Sequence, residues 1–459
     1  MAVNSTHEDY DSNIKKWTLV RDCVAGASAV KKKGEEYLPN PDPTAEDKSK
    51  RYQSYLLRAM FINVTSRTKR AMVGMAFRKP PSKKEIPAKT EYLVTNATGD
   101  GGSLENLGKK TVGELLAVGR FGLLSDYPVA EDNLTQAQVR ALNLQASIKT
   151  YKTETILDWD VTVVNGQEML SFLKLKEDIK TRNSFETETK TQYRMLMLVD
   201  GVYTVEIWDE SKIITPAFTP KDSRGRTLEL IPFVIAGTDS NDAEVDPAAL
   251  YDIAEINIGH YRNSADYEES CFLVGQPQPV ITGLDQNWVD SVGGEYKYGS
   301  RNAWTLPVGA SASILQVAPN MIAREGMEDK EDQMISIGAK VIDPDAKTES
   351  TATASVINHS ADVGILANIV QNSSLAIKQS IEWCGLFMGT EDAVEYSIND
   401  DFYDKTKTAQ DIMAEITLFD RKVIAKADLR NTARKAGIIE LDRTDDDIDS
   451  EVDEGDPLE

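Results

Sequence analysis

A single run of helical periodicity from Thr351 to about Met388 constrains this chain more than any other feature. Val356, Val363, Leu366, Val370, Ile377, Ile381 and Cys384 share one apolar stripe at steps of 3, 4 and 7. At ~1.5 Å per residue such a helix is about 55 Å long, more than an ordinary small domain needs. Asp343-Pro-Asp-Ala-Lys-Thr-Glu349 separates it from a shorter helical stretch, Ile322 to Lys340.

Upstream the pattern changes character several times. Residues 1–50 are polar and Lys-rich, and Leu38-Pro-Asn-Pro-Asp-Pro43 reads as a connector. Lys48 to Met75 reads as one helix, with Tyr52, Tyr55, Leu56, Ala59, Met60 and Val64 at i+3/i+4 steps. A further helical stretch follows the Gly-rich loop at 99–102 and runs through Leu115, Leu116 and Val118. A strand-rich block comes next: Thr155–Val164 and Glu168–Leu175 flank Asn165-Gly166, and Tyr193–Val199 and Tyr203–Trp208 flank Asp200-Gly201. Two hairpins are expected, because the centre of a two-residue turn favours residues that accept φ > 0. Asp246-Pro247 reads as the N-cap and first residue of a helix running to about Leu273. Residues 276–320 are rich in Gly, Trp and Tyr, with short strands at Val280–Ile281 and Ile314–Val317. After the long helix, Val394–Ile398 reads as an isolated strand and Thr408–Lys435 as two helices stopped at Gly437. The fold class is α+β.

At roughly 100–200 residues per domain, 459 residues suggest two to four domains. No window holds about 18 uninterrupted apolar residues, so no membrane span is expected. The N-terminus has no apolar segment of the kind that directs secretion. Cys23, Cys271 and Cys384 lie too far apart for a zinc spacing or a disulfide framework, which fits a reducing compartment. The net charge is −23, and Leu441 to Glu459 holds ten acidic residues and one Arg, a solvated and disordered tail on this reading. Such a balance disfavours a tight grip on phosphates but leaves open a protein that must let nucleic acid slide.

The search for catalytic chemistry returns little. Gly102-Ser-Leu-Glu-Asn-Leu-Gly108-Lys-Lys-Thr111 resembles a phosphate loop. Its first Gly is one residue too far away, however, and Lys110 stands where Mg²⁺ needs a hydroxyl. The alternative it would support is a nucleotide-using cytoplasmic enzyme; a loop-to-helix turn is the plainer reading. His7, His260 and His359 have no partner at metal-ligand spacing, and no cofactor or metal is expected. Glu325, Glu328, Asp329 and Asp332 fall at i, i+3, i+4 and i+7, one acidic stripe, while Met327, Met334, Ile337 and Val341 lie on another face. A solvated face beside Lys330 explains the stripe, and so does a wall facing an anionic polymer.

Several collinear stretches together resemble the portal proteins of tailed bacteriophages. They are Trp17-Thr-Leu-Val-Arg-Asp-Cys23 with Tyr37-Leu-Pro39, Arg58-Ala-Met-Phe61 leading to Val73-Gly-Met-Ala-Phe77, and Gly119-Arg-Phe-Gly-Leu-Leu-Ser-Asp126. Ile231-Pro-Phe233, His260-Tyr-Arg-Asn-Ser-Ala-Asp266 and Glu331-Asp-Gln-Met-Ile-Ser-Ile-Gly338 complete the set. The resemblance covers roughly residues 15–440. It implies a non-enzymatic homo-oligomeric ring, usually of twelve subunits, at one capsid vertex of the virion, assembled in the bacterial cytoplasm. Double-stranded DNA passes through it during packaging and ejection. Another oligomeric head or tail structural protein is the remaining alternative.

The resemblance also implies a division of the chain: a wing over 1–245 with 391–404 returning to it, stem helices at 246–274 and 321–340, and a clip at 275–320. A tunnel loop at 341–350, the long helix at 351–389 and a crown at 405–440 follow. If the second stem helix lines the channel, its four carboxylates become stacked acidic rings in an assembly carrying −276. Asp343, Lys347 and Thr348 would lie in the tunnel loop, where Lys347 touches phosphates or is simply exposed. Trp288, Tyr296, Tyr298, Arg301 and Trp304 would form either a clip interface or a small clip core. The implied partners are the large terminase subunit, then the head–tail adaptor and tail proteins, with the major capsid protein and scaffolding protein; no membrane is involved. The Lys31-Lys-Lys33 cluster either meets capsid protein or is solvated.

Overall fold

Helix and strand are mixed at 44% and 24%, the expected α+β class. The computed structural model describes residues 3–44, 46–128, 144–164, 166–275, 278–291, 306–315, 321–338, 352–400, 402, 409–435, 438–439 and 443–454. The chain divides into two units, residues 1–399 and 400–459.

The first unit opens with α1 (Glu8–Ala25) and α2 (Ala27–Lys32). Trp17, Val20 and Cys23 of α1 are buried, so this polar start of the chain supplies part of the core. Two helices, α3 (Lys48–Arg58) and α4 (Val64–Ala76), replace the single one suggested by periodicity. Ala59 turns to ψ 131°, the Met60 N–H donates to Ser264 Oγ, and Asn63 Oδ1 caps α4 by accepting from the Ser66 N–H. The apolar spacing continues through the break, so periodicity alone does not reveal it.

α5 (Leu104–Val118) is buried along most of its length and ends at Gly119, which takes the left-handed conformation (φ 75°). The chain passes directly into β2 (Arg120–Asp126), the centre of an antiparallel sheet with β3 (Ser147–Lys152) and β9 (Phe233–Gly237) on either side. A second antiparallel sheet holds β4 (Ile156–Val164), β5 (Gln167–Asn183), β6 (Glu186–Val199), β7 (Val202–Trp208) and β8 (Ile213–Phe218) in sequence order. Both expected hairpins form, with Val163 opposite Glu168 and Val199 opposite Val202. In the second, Asp200 and Gly201 both have positive φ, as that turn requires. Leu124, Ile156, Trp159, Leu173, Leu196 and Phe233 join the two sheets in one core. Arg194 ties them electrostatically as well, with Glu177 at 2.9 Å and Asp126 at 3.8 Å.

β5 and β6 outrun their sheet. From Glu177 opposite Gln192 to Asn183 opposite Glu186 they pair only with each other, and Phe185 at the tip is 97% exposed.

The long helix, α9 (Ala352–Phe387), has very nearly its expected length. It packs against α5, β2 and β9, with Leu366, Val370, Ile377, Ile381 and Cys384 buried. The side chains of Val356 and Val363 lie outside the described residues. Just past its end, the Gly389 carbonyl accepts from Lys89 Nζ (2.8 Å) and from the Arg224 guanidinium, placing two cations at the negative pole of the helix. The strand expected to be isolated, β12 (Glu395–Ser397), pairs with β1 (Ser82–Glu85).

In the second unit, α10 (Ala409–Asp420) and α11 (Lys426–Lys435) match the two expected helices; Gly437 lies outside the described residues. The acidic terminal run departs from expectation. Rather than a disordered tail, residues 445–454 form α12 (Asp445–Glu454). Thr444 Oγ1 accepts from the Asp447 N–H, Arg430 and Lys426 grip Asp449, and Arg434 grips Asp445. Acidic residues in a first helical turn also suit the helix dipole. Arg430 and then Lys426 hold the Asp449 carboxyl well below its ordinary 3.8. A depressed acid stabilises above its unfolded value and loses that effect as pH falls through the folded one. Amide protection across 445–454 is therefore expected to drop below pH 3.8. It should also drop at neutral pH in about 1 M salt, where the screening length is ~3 Å. Protection unchanged under both conditions would mean that packing, not charge, holds α12.

Candidate functional site

The site is a pair of helices. α6 (Tyr251–Val274) starts later than Asp246-Pro247 suggests, because Asp246 Oδ2 instead accepts the N–H groups of Asp239 (2.7 Å) and Ser240 (3.2 Å) and closes the loop after β9. Polar side chains fasten α6 to the N-terminal helices. Asn257 Oδ1 accepts from the Thr65 hydroxyl (3.1 Å), Ser264 Oγ donates to Met60 O (2.7 Å), Tyr55 OH donates to Asp266 (2.6 Å), and Arg58 pairs with Glu269. Beyond Glu269, Arg58 also lies over the Phe272 ring, 4.3 Å from its centroid, and Phe272 and Leu273 are exposed.

α8 (Ile322–Ile337) lies antiparallel along α6. Gly326 faces Asn263, Lys330 faces Gly259, His260 Nε2 is 3.2 Å from Glu331 Oε1, and Gly338 faces Ile253. A Cβ on Gly326 would come within 2.6 Å of Asn263 Nδ2, and one on Gly338 within 2.8 Å of Ile253 Cδ1. The Asn263 and Ile253 side chains of α6 fill the space left by the missing side chains of Gly326 and Gly338. The expected end at Lys340 lies outside the described residues.

Glu325, Glu328, Asp329 and Asp332 are all exposed. At ~100° per residue they sit half a turn from the seam formed by Gly326, Lys330, Met334 and Gly338, so the stripe faces away from α6. It is not purely anionic, since Arg324 Nε donates to Glu328 at 2.8 Å. On the other face, Met334 is buried and Met327 half-buried, while Ile337 at the helix end is 40% exposed; Val341 lies outside the described residues. Glu331 was not part of the predicted stripe, yet it is the acid that meets buried His260. A His and a Glu 71 positions apart give no local signal of that meeting.

The segment between the two helices contains β10 (Gln278–Thr282) paired with β11 (Ser311–Leu315), where two short strands were expected, and the short helix α7 (Gln286–Ser291). Trp288 sits in α7, its N–H donating to Asp285 Oδ1 at 2.7 Å. Tyr296, Tyr298, Arg301 and Trp304 lie outside the described residues, as do Asp343, Lys347 and Thr348.

The stretch 102–111 is no phosphate loop. Ser103 caps α5, Lys109 pairs with Glu105 (2.6 Å), Lys110 donates to Thr150 (2.7 Å), and the Thr111 hydroxyl is buried on Leu107 O. Both ends of the 31–33 cluster are engaged within the chain, Lys31 on Leu57 O and Lys33 beside Asp22 and Glu36. Among the described residues, no group of three His, Cys, Asp or Glu side chains is placed to hold a metal, and no helix is long and apolar enough to cross a membrane. Sequence reasoning missed a groove of about 590 Å³ between the start of β5 and α9, because those two walls come from segments more than two hundred residues apart.

Residues 249–388, which include both helices of the pair and α9, match the family described as Domain of unknown function (DUF4055). No curated protein matches the chain. Many solved chains are similar to it, and two illustrate the match. One is a chain of the virion of the native gene transfer agent (GTA) particle, at 10% identity and TM-score 0.42, covering 83% of this chain and 92% of that one. The other belongs to the neck of the empty GTA particle, at 11% identity and TM-score 0.41, covering 84% and 92%.

Proposed function

We propose that this chain is the portal subunit of a tailed bacteriophage. Copies form a ring, taken as twelve-membered, at one capsid vertex, and double-stranded DNA passes through its centre. The observation that carries this reading is the antiparallel pair α6–α8, which turns four exposed carboxylates away from its own seam. The resemblance supplies the rest. Two of its stretches, 260–266 and 331–338, meet at that seam through His260 and Glu331.

On this reading α8 stands at the channel wall. A phosphate polymer moving past acidic rings meets repulsion at every position, so no single position traps it, whereas cations at each phosphate would create deep, salt-dependent wells. Lys347, in the segment that follows α8 in sequence, then offers brief contact with phosphates. The segment 275–320, which includes Trp288, Tyr296, Tyr298, Arg301 and Trp304, is the docking surface for the large terminase subunit and later for the head–tail adaptor and tail proteins. The major capsid protein and scaffolding protein are further partners. The subunit catalyses nothing itself; it assembles in the host cytoplasm and works in the virion.

Electron microscopy of the purified protein is expected to show rings with a central channel, and particles without one would end the reading. A quadruple variant, Glu325→Gln, Glu328→Gln, Asp329→Asn and Asp332→Asn, should still form rings but retain or package less DNA. Packaging at the wild-type level in that variant would remove the stripe from the channel wall.

A further inference from the structure

Among the described residues, the outer halves of β5 and β6 pair with no third strand and form a two-stranded ribbon. Two-stranded ribbons are marginal in water by themselves, and this one is exposed on both faces from Asp178 to Lys190. Its tip presents Phe185 fully to solvent. An aromatic ring held out on a polar arm is the kind of anchor that dominates protein interfaces.

At the other end of β5 lies the groove of about 590 Å³. Leu170, Leu375 and Trp383 give it an apolar lining, and Leu375 is 57% exposed, so the lining is open to solvent in a single copy. Its lining carries Glu168 and Asp242, while Lys378 and Glu382 already lie 4.0 Å apart as an ion pair. The ribbon bears three cations and three acids between Asp178 and Lys190; Lys190 is beside Glu188 (3.6 Å), whereas Lys180 and Arg182 have no carboxylate partner among the described residues. Lys180 and Arg182 are therefore the cations of the arm left to meet Glu168 and Asp242.

We infer that Phe185 at the ribbon tip of one copy seats in the groove between β5 and α9 of a second copy. This contact rests on the ring reading above. At ~3.3 Å per residue along β5, tip and groove are about 50 Å apart, so the ribbon cannot fill the groove of its own chain. Tip and groove are different patches at opposite ends of one sheet, so the contact is head-to-tail. Repeated with a constant rotation, such a contact gives a ring when the rotation closes and an open filament when it does not; the ring reading takes the closing case.

The test uses the full chain with Cys271→Ser throughout, since Cys271 is the exposed cysteine. Ser184→Cys copies and Gln379→Cys copies are co-expressed and oxidised, with each alone as a control. Cross-linked pairs are expected only in the mixture. Phe185→Asp alters only an exposed tip and should leave the fold intact. It is expected to raise the protein concentration at which half the copies are in rings by about tenfold or more. Wild-type rings with no cross-link in the mixture, and with Phe185→Asp assembling at the wild-type concentration, would overturn the docking while leaving the ring. A wild-type chain that stays monomeric overturns both.

Discussion

Gly119→Ala is expected to leave little folded protein. Gly119 ends α5 at φ 75°, where its N–H still donates to Leu115 O and its carbonyl accepts from the Thr238 N–H. An L side chain in that conformation costs roughly 1–2 kcal/mol. The larger cost is steric: a Cβ there would lie 2.6 Å from Asp246 O and 2.8 Å from Pro247 O. Both are backbone atoms in the loop that leads into α6, so neither can swing aside as a side chain would. Together the two effects should remove about 3–5 kcal/mol, a large fraction of a domain's ~5–15. Gly201→Ala serves as the comparison. It has a similar φ (78°) with nothing near its missing Cβ, and should cost only about 1 kcal/mol. Denaturant titration of both variants checks the contrast, and equal losses would mean that the Asp246 loop does not close on Gly119 as described.

Arg21→Met should be nearly as damaging. The Arg21 guanidinium reaches Glu114 at 2.5 Å and Glu154 at 2.6 Å, joining α1, α5 and the turn before β4. Glu114 is only 10% exposed, and the two acids raise the Arg21 pKa further despite its burial. Removing the cation leaves two carboxylates facing each other with little water, at a cost of about 3–5 kcal/mol at neutral pH. Arg21→Lys should recover only part of the loss, because a single ammonium cannot serve two acids with a rigid fork. Denaturant titration of both variants checks this, and an equal loss in Arg21→Lys and Arg21→Met would point to something other than the missing charge.

How legible the fold is in the sequence depends on how local its causes are. The length of α9 is written in a stripe that repeats every turn, and the β6–β7 hairpin in two residues, Asp200 and Gly201, that tolerate positive φ. The break between α3 and α4 is not legible, because Met60 is drawn off the helix by Ser264, two hundred residues later. For the same reason Asp246 looks like a cap until its partners, Asp239 and Ser240, are known. α12 was hidden differently: its acids read as a repelling run, and only the cations of α11 turn them into anchors. At the candidate site, the four-carboxylate stripe was visible as spacing. Its outward aim follows from where Gly326, Met334 and Gly338 meet α6, and that meeting is tertiary.

The glycine-lined seam between α6 and α8 also sets a mechanical property. α8 touches the rest of the chain chiefly through α6, and α6 is riveted to α3 and α4 by Asn257, Ser264, Tyr55 and Arg58. A thrust applied along α8 is therefore delivered through α6 into those N-terminal helices as if through one strut. Asn263 and Ile253 of α6 seat in the gaps left by Gly326 and Gly338, and side chains interlocked in this way resist sliding, so the pair transmits displacement instead of absorbing it.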